Sequence, residues 1–189
     1  MKNKKVLFLT QAAMIAALYV VLTELSNLFG LASYAIQVRF SEALTVLPFF
    51  MPAAVPGLFA GCIISNLLVS ANIFDIVFGS IATLLGGIVT CVIGKPFRNR
   101  NNGQIPGIKQ PNSVLSLKYK TAAWLTPIPP IVSNTLIIPF VLKYAYGFEP
   151  LWFSFLTVCI GEIISCGVLG IPLFFFIKKY ARQIWTTSD

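Results

Sequence analysis

Five apolar runs dominate the chain: residues 6–28, 43–71, 73–94, 121–142 and 151–177. Each reaches or exceeds the ~20 residues that a helix needs to cross hydrocarbon. None alternates with period two, and an open sheet cannot satisfy its backbone in lipid, so helix is the conformation they predict. Composition points the same way. The chain is 57% hydrophobic and 11% charged over 189 residues, where soluble domains average about 45–50% and about 25%. A soluble fold of this length could not hide so much apolar surface. The expectation is an all-α membrane protein forming one bundle, in a single domain over residues 1–189, in the cell membrane.

The run 43–71 is too long for one span and too short for two full ones. Pro48, Pro52, Pro56 and Gly57 favour a break near Met51-Pro52. Charge decides how to count it. Twelve of the fourteen Lys and Arg fall in three groups: Lys2, Lys4 and Lys5; Lys95, Arg98, Arg100, Lys109, Lys118 and Lys120; and Lys178, Lys179 and Arg182. The positive-inside rule puts all three groups on the cytoplasmic side, so an even number of spans separates each from the next. Splitting 43–71 into a short helix entered from about Val38 and a second from about Ala53 meets that condition. The prediction is six transmembrane helices with both termini cytoplasmic. The first run lacks a small-x-small cleavage site and is read as an uncleaved helix rather than a signal peptide. The net charge of +8 lies at the ends of apolar runs and so marks topology, not nucleic-acid binding. The polar loop 95–120, rich in Asn, Pro and Gly, is expected to be mobile.

With that orientation, Glu24, Asn27, Arg39, Glu42, Asn66, Asn72, Asp75, Asn134, Glu149 and Glu162 all fall in the outer half. Every acidic residue except Asp189 is among them. Ionisable groups in a membrane face a partner or a cavity, so this concentration predicts a polar pocket open to the outside. The plainer alternatives are interface residues, ion pairs with Arg39, and asparagines that glue helices together. Tyr34, Phe40, Trp124, Tyr144, Tyr146 and Trp152 could line such a pocket or mark the interfacial belt. Carboxylates and amides suit a ligand rich in N–H donors, such as a purine-like base, or a cationic amine; composition leaves both open. Cys62, Cys91, Cys159 and Cys166 lie in apolar runs without a C-x-x-C pair. With no histidine there is no metal-ligand set, and no catalytic constellation is visible. Gly94-Lys95 resembles the end of a phosphate loop, but Val89 and Pro96 stand where that motif needs Gly and Ser/Thr, so the chain is not its own ATPase.

Two stripes of small residues stand out. Ala12 lies above Ala16 and Ala13 above Ala17 in the first run, and Gly57 and Gly61 form a G-x-x-x-G in the third predicted helix. Such stripes let another helix approach closely. Six helices, about 190 residues and the early A-x-x-x-A stripe together resemble the substrate-binding S components of energy-coupling factor (ECF) importers. The stretch from Gln37 to Pro48 (QVRFSEALTVLP) is similar to the QueT family of S components. So are Pro52 to Leu58 (PAAVPGL), Asp75 to Leu85 (DIVFGSIATLL), Ser133-Asn134 and Gly161 to Ser165 (GEIIS). The likeness covers nearly all of the chain except the loop 95–120. It implies a subunit that binds a queuosine precursor from outside, a 7-deazaguanine such as preQ1, preQ0 or queuine. The subunit would then dock through Ala12, Ala13, Ala16 and Ala17 on a transmembrane coupling protein carried by two ATPases, and tip over to release its ligand inside. On that reading Glu42, Asp75, Asn134 and Glu162 bind the base and its amine, with Arg39 and Asn66 secondary. The chain itself needs no cofactor, since the partner subunits use the ATP. The rival readings are a stand-alone permease of the same topology and a non-transporting membrane protein.

Overall fold

The computed structural model describes residues 4–31, 38–69, 72–99 and 113–185, and all regular structure among them is helical. Helix α1 spans Lys4–Leu28. It closes at Gly30, whose φ of 69° is one that L side chains rarely adopt, with the Leu31 N–H on the Ser26 carbonyl. This is the reversal that glycine allows at a helix end. A 3₁₀ stretch, Phe40–Val46, runs into the short helix α2, Leu47–Phe50. Met51 is then extended ahead of Pro52, as pre-proline crowding requires, and α3 restarts at Ala54–Val69. The break expected at Met51-Pro52 is therefore present. A π turn, Asp75–Gly79, leads into α4, Ser80–Asn99. Helices α5, Ser113–Leu125, and α6, Ile128–Tyr146, meet at Thr126-Pro127. The last rod joins α7, Leu151–Glu162, a π stretch, Ile163–Leu169, and α8, Gly170–Trp185.

Among the described residues, four helical stretches are long and apolar enough to cross a membrane: Lys4–Leu28, Asp75–Arg98, Tyr119–Tyr146 and Leu151–Lys179. Phe40–Phe50 and Ala54–Val69 are apolar but shorter. At its mixed 3₁₀ and α rise, Phe40–Phe50 covers about 20 Å, well short of a ~30 Å hydrocarbon core. Its first residues accordingly lie inside the bundle rather than at its edge. Within the polar loop 95–120, residues 95–99 continue α4 and 113–120 begin α5. The remainder of that loop, with Arg100 and Lys109, lies outside the described residues, as do Lys2, Tyr34, Gln37 and both chain ends.

Side-chain pairs set the helix directions. Ala12 faces Gly57 and Ala16 faces Gly61, so α1 and α3 run parallel. Gly86 meets Pro130 and Thr90 bonds the Thr126 carbonyl, so α4 and α6 run antiparallel. Asn134 pairs with Glu162 and Phe140 with Phe155, so α6 and α7 do too. One end of the bundle is aromatic: Phe49, Phe50, Phe97, Tyr119 and Phe174 pack with ring centroids 4.8–5.1 Å apart. There Arg98 turns back and donates to the Pro48 and Phe49 carbonyls at 2.8 and 2.6 Å, acceptors that the end of the short α2 leaves open, and to the Cys91 carbonyl of α4 at 2.8 Å. The outer surface is apolar, with Leu9, Met14, Val21, Leu68, Val92 and Phe176 all exposed. That is the inverse of a soluble surface and suits lipid.

Candidate functional site

Antiparallel alternation collects polar side chains at the end opposite the aromatic cluster. They form two linked groups, both buried among apolar helices.

The first group centres on Glu42 and Glu162. Glu42, 2% exposed, sits on the 3₁₀ stretch. The Tyr19 hydroxyl from α1 donates to its Oε1. Its Oε2 is buried and has no hydrogen-bond partner. Glu162, 9% exposed, is the last residue of α7 before the backbone widens into the π stretch. Its Oε1 accepts from Asn134 Nδ2 at 3.0 Å and its Oε2 from the Cys166 thiol at 3.3 Å. Thr45 donates to the Glu42 carbonyl at 2.6 Å, and its hydroxyl also reaches Cys166 Sγ at 3.5 Å. One ligand atom each from Glu42, Glu162 and Cys166 lie within 4.8 Å of one another.

The second group runs from Arg39 to Asp75. The half-buried Arg39 donates from Nη1 to Asn66 Oδ1 at 3.1 Å. Asn66 Nδ2 in turn donates to the Asp75 carbonyl at 3.0 Å. The Asp75 carboxylate accepts the Tyr146 hydroxyl. Ser165 ties the groups together by accepting the Arg39 backbone N–H at 3.1 Å, and the guanidinium interacts electrostatically with both Glu42 and Asp75. Both π segments border this region. A π turn widens the helix by one residue, re-aims the side chains around it, and recurs at functional sites.

Glu42, Asp75, Asn134, Glu162, Arg39 and Asn66, singled out from the sequence, thus lie in one connected network. Glu42 is in the protein interior, facing Tyr19 and Cys166. Glu149 is different: it is exposed and ion-paired to Lys143 at 3.2 Å. Glu24 is half-buried, and its Oε1 lacks a partner. Tyr144 and Trp152 are exposed, whereas the Tyr146 hydroxyl turns inward onto Asp75. Sequence reasoning did not single out Tyr19, Thr45, Ser165 or Cys166. The one available signal was the i, i+4 spacing of Glu162 and Cys166, which stacks them on one helical face.

The alanine stripes divide. Ala12 and Ala16 are 8% exposed, and their backbones lie against Gly57 and Gly61 of α3. Ala13 and Ala17 face outward beside the exposed Met14, Leu18 and Val21.

A helical membrane protein with carboxylates, amides and a guanidinium gathered inside one end has the build of a small-molecule carrier or receptor. Sequence comparison makes the assignment specific: the chain belongs to the QueT transporter family, whose model matches residues 9–179. A curated relative, the queuosine precursor transporter QueT of Lactococcus lactis subsp. cremoris (strain MG1363), is 36% identical over 85 residues, which are 45% of this chain and 50% of that protein. The matched segment therefore spans about half the length of that relative. No solved structure matches the chain.

Proposed function

We propose that this chain is the substrate-binding membrane subunit of an ECF-type importer for queuosine precursors. It captures a 7-deazaguanine such as preQ1, preQ0 or queuine from outside the cell. It then releases the base to the cytoplasm after docking on a transmembrane coupling protein driven by two ATPase subunits. The chain holds no cofactor of its own, and ATP is consumed by the partners. It is a multi-pass protein of the plasma membrane, with six helices and both termini inside. The alternating helix directions support that topology, and Lys4, Lys5, Arg98, Lys178 and Lys179 lie where cytoplasmic positive charge belongs. In that orientation the polar network lies towards the outside.

One observation carries the reading: in a chain of a transporter family, the buried Glu42, Glu162 and Asn134 converge, and one carboxylate oxygen is left without a partner. A 7-deazaguanine offers ring N–H and amino donors to such acceptors, and the Asn134, Asn66 and Arg39 donors can meet its carbonyl and ring nitrogen. The outward-facing Ala13 and Ala17 supply the flat stripe for the coupling protein. Ala12 and Ala16 serve docking through the packing that holds α1 in place.

Titration calorimetry of the purified protein in detergent tests the proposal. At least one of the three bases should bind. Glu162→Ala or Glu42→Ala should each weaken binding by more than about tenfold, or about 1.4 kcal/mol. Well-folded protein that gives no heat with preQ1, preQ0 or queuine rejects the substrate assignment. Affinity purification from membranes should also bring down the coupling protein and its ATPases; a stand-alone permease would come down without them.

A further inference from the structure

The three carboxylates of the polar network face a single guanidinium. Arg39 donates from Nη1 to Asn66, and among the described residues neither Glu42 nor Glu162 has a Lys or Arg nitrogen within ion-pair distance. Charges buried this deeply are normally paired, because the low-polarity interior leaves them nothing else. Glu42 is 2% exposed and its Oε2 has no partner of any kind. Every other carboxylate oxygen of the Glu42–Glu162 pair accepts a hydrogen bond from the protein.

We infer that Glu42 and Glu162 form a subsite for a protonated amine carried by the ligand. This rests on the site being the substrate site. Oxygens of Glu42 and Glu162 lie within 4.8 Å of each other, close enough for one ammonium to donate to both. Tyr19, Asn134 and Cys166 hold the two carboxylates from behind, so the ammonium enters between acceptors already oriented for it. The subsite therefore selects, among 7-deazaguanines, the forms that carry an amine on the side chain at the deaza carbon. It disfavours the nitrile form, which leaves the carboxylates unpaired. Arg39 remains available to Asp75 and to the neutral base.

Competition calorimetry on the intact protein compares the aminomethyl base, preQ1, with the nitrile base, preQ0. The amine should bind at least about tenfold more tightly, the range for a hydrogen bond to a charged group. Glu42→Gln keeps the shape and should weaken the amine about tenfold more than the nitrile, collapsing the preference. Equal affinity of the wild-type protein for the two bases overturns the subsite, because the carboxylates would then be held neutral by a proton instead of by ligand. Saturable binding of Zn²⁺ alone that is lost in Glu42→Gln also overturns it, in favour of a metal site. If neither base binds and queuine does not bind either, it is the substrate assignment that fails.

Discussion

The closest backbone approach between α1 and α3 gives the sharpest mutational test. A Cβ at Gly57 would stand 2.7 Å from the Ala12 carbonyl oxygen and 3.0 Å from Ile15 Cβ. One at Gly61 would stand 2.8 Å from Tyr19 Cβ and 3.0 Å from the Ala16 carbonyl oxygen. Non-bonded heavy atoms keep about 3.5 Å, so the helices must part by roughly 0.7 Å to admit either methyl. Backbone atoms cannot rotate away, and overpacking of this kind costs about 1–3 kcal/mol per site. The better helix propensity of alanine returns about 0.5–1 kcal/mol. Gly57→Ala and Gly61→Ala should therefore each lose about 1–2 kcal/mol, seen as a fall of roughly 2–8 °C in the melting temperature in detergent. The double variant should also weaken ligand binding, because Tyr19 rides on the displaced face and its hydroxyl leaves Glu42. Gly87→Ala is the matched control: its added methyl meets only Pro48 Cγ, at 3.8 Å, and should be neutral or slightly stabilising. If Gly57→Ala and Gly61→Ala melt with Gly87→Ala, close approach of the two backbones does not hold the helices together, and the argument for how α1 is anchored is wrong.

Three further outcomes follow from the geometry. Tyr19→Phe removes the donor to Glu42 Oε1 and leaves both oxygens of a buried carboxylate unmet; stability without ligand should fall by about 1–3 kcal/mol, measured by thermal unfolding. Gly79→Ala places a methyl 2.9 Å from Asn66 Nδ2 and should dislodge that amide from the Asp75 carbonyl; calorimetry should show a larger loss of ligand affinity than of melting temperature. Leucine at both Ala13 and Ala17 should spare ligand binding and abolish uptake in cells, whereas leucine at Ala12 should unfold the protein; uptake that survives the outward pair would favour a stand-alone permease.

Much of this arrangement is legible in one dimension because membranes impose simple rules. Hydrocarbon demands helices of a set length, so the apolar runs announce the fold class. Lys and Arg stay with the cytoplasm, and that rule required a break in 43–71; Pro52 marks the place, and Met51 is extended there. The cost of burying charged and polar groups made Glu42, Asp75, Asn134 and Glu162 conspicuous before any contact was known. Sequence periodicity says that Ala12 and Ala16 share a face and that Ala13 and Ala17 share another, but it is silent on which face looks inward. Only the packing of Gly57 and Gly61 on α1 decides that. Nor can it show that Phe40–Phe50 is short enough to carry Glu42 into the bundle. Tyr19 and Cys166 become its neighbours there, from positions 23 and 124 residues away along the chain. Local rules fix which residues are expensive to bury; the partners that make burial tolerable come from helices distant in sequence, and the tertiary structure alone brings them together.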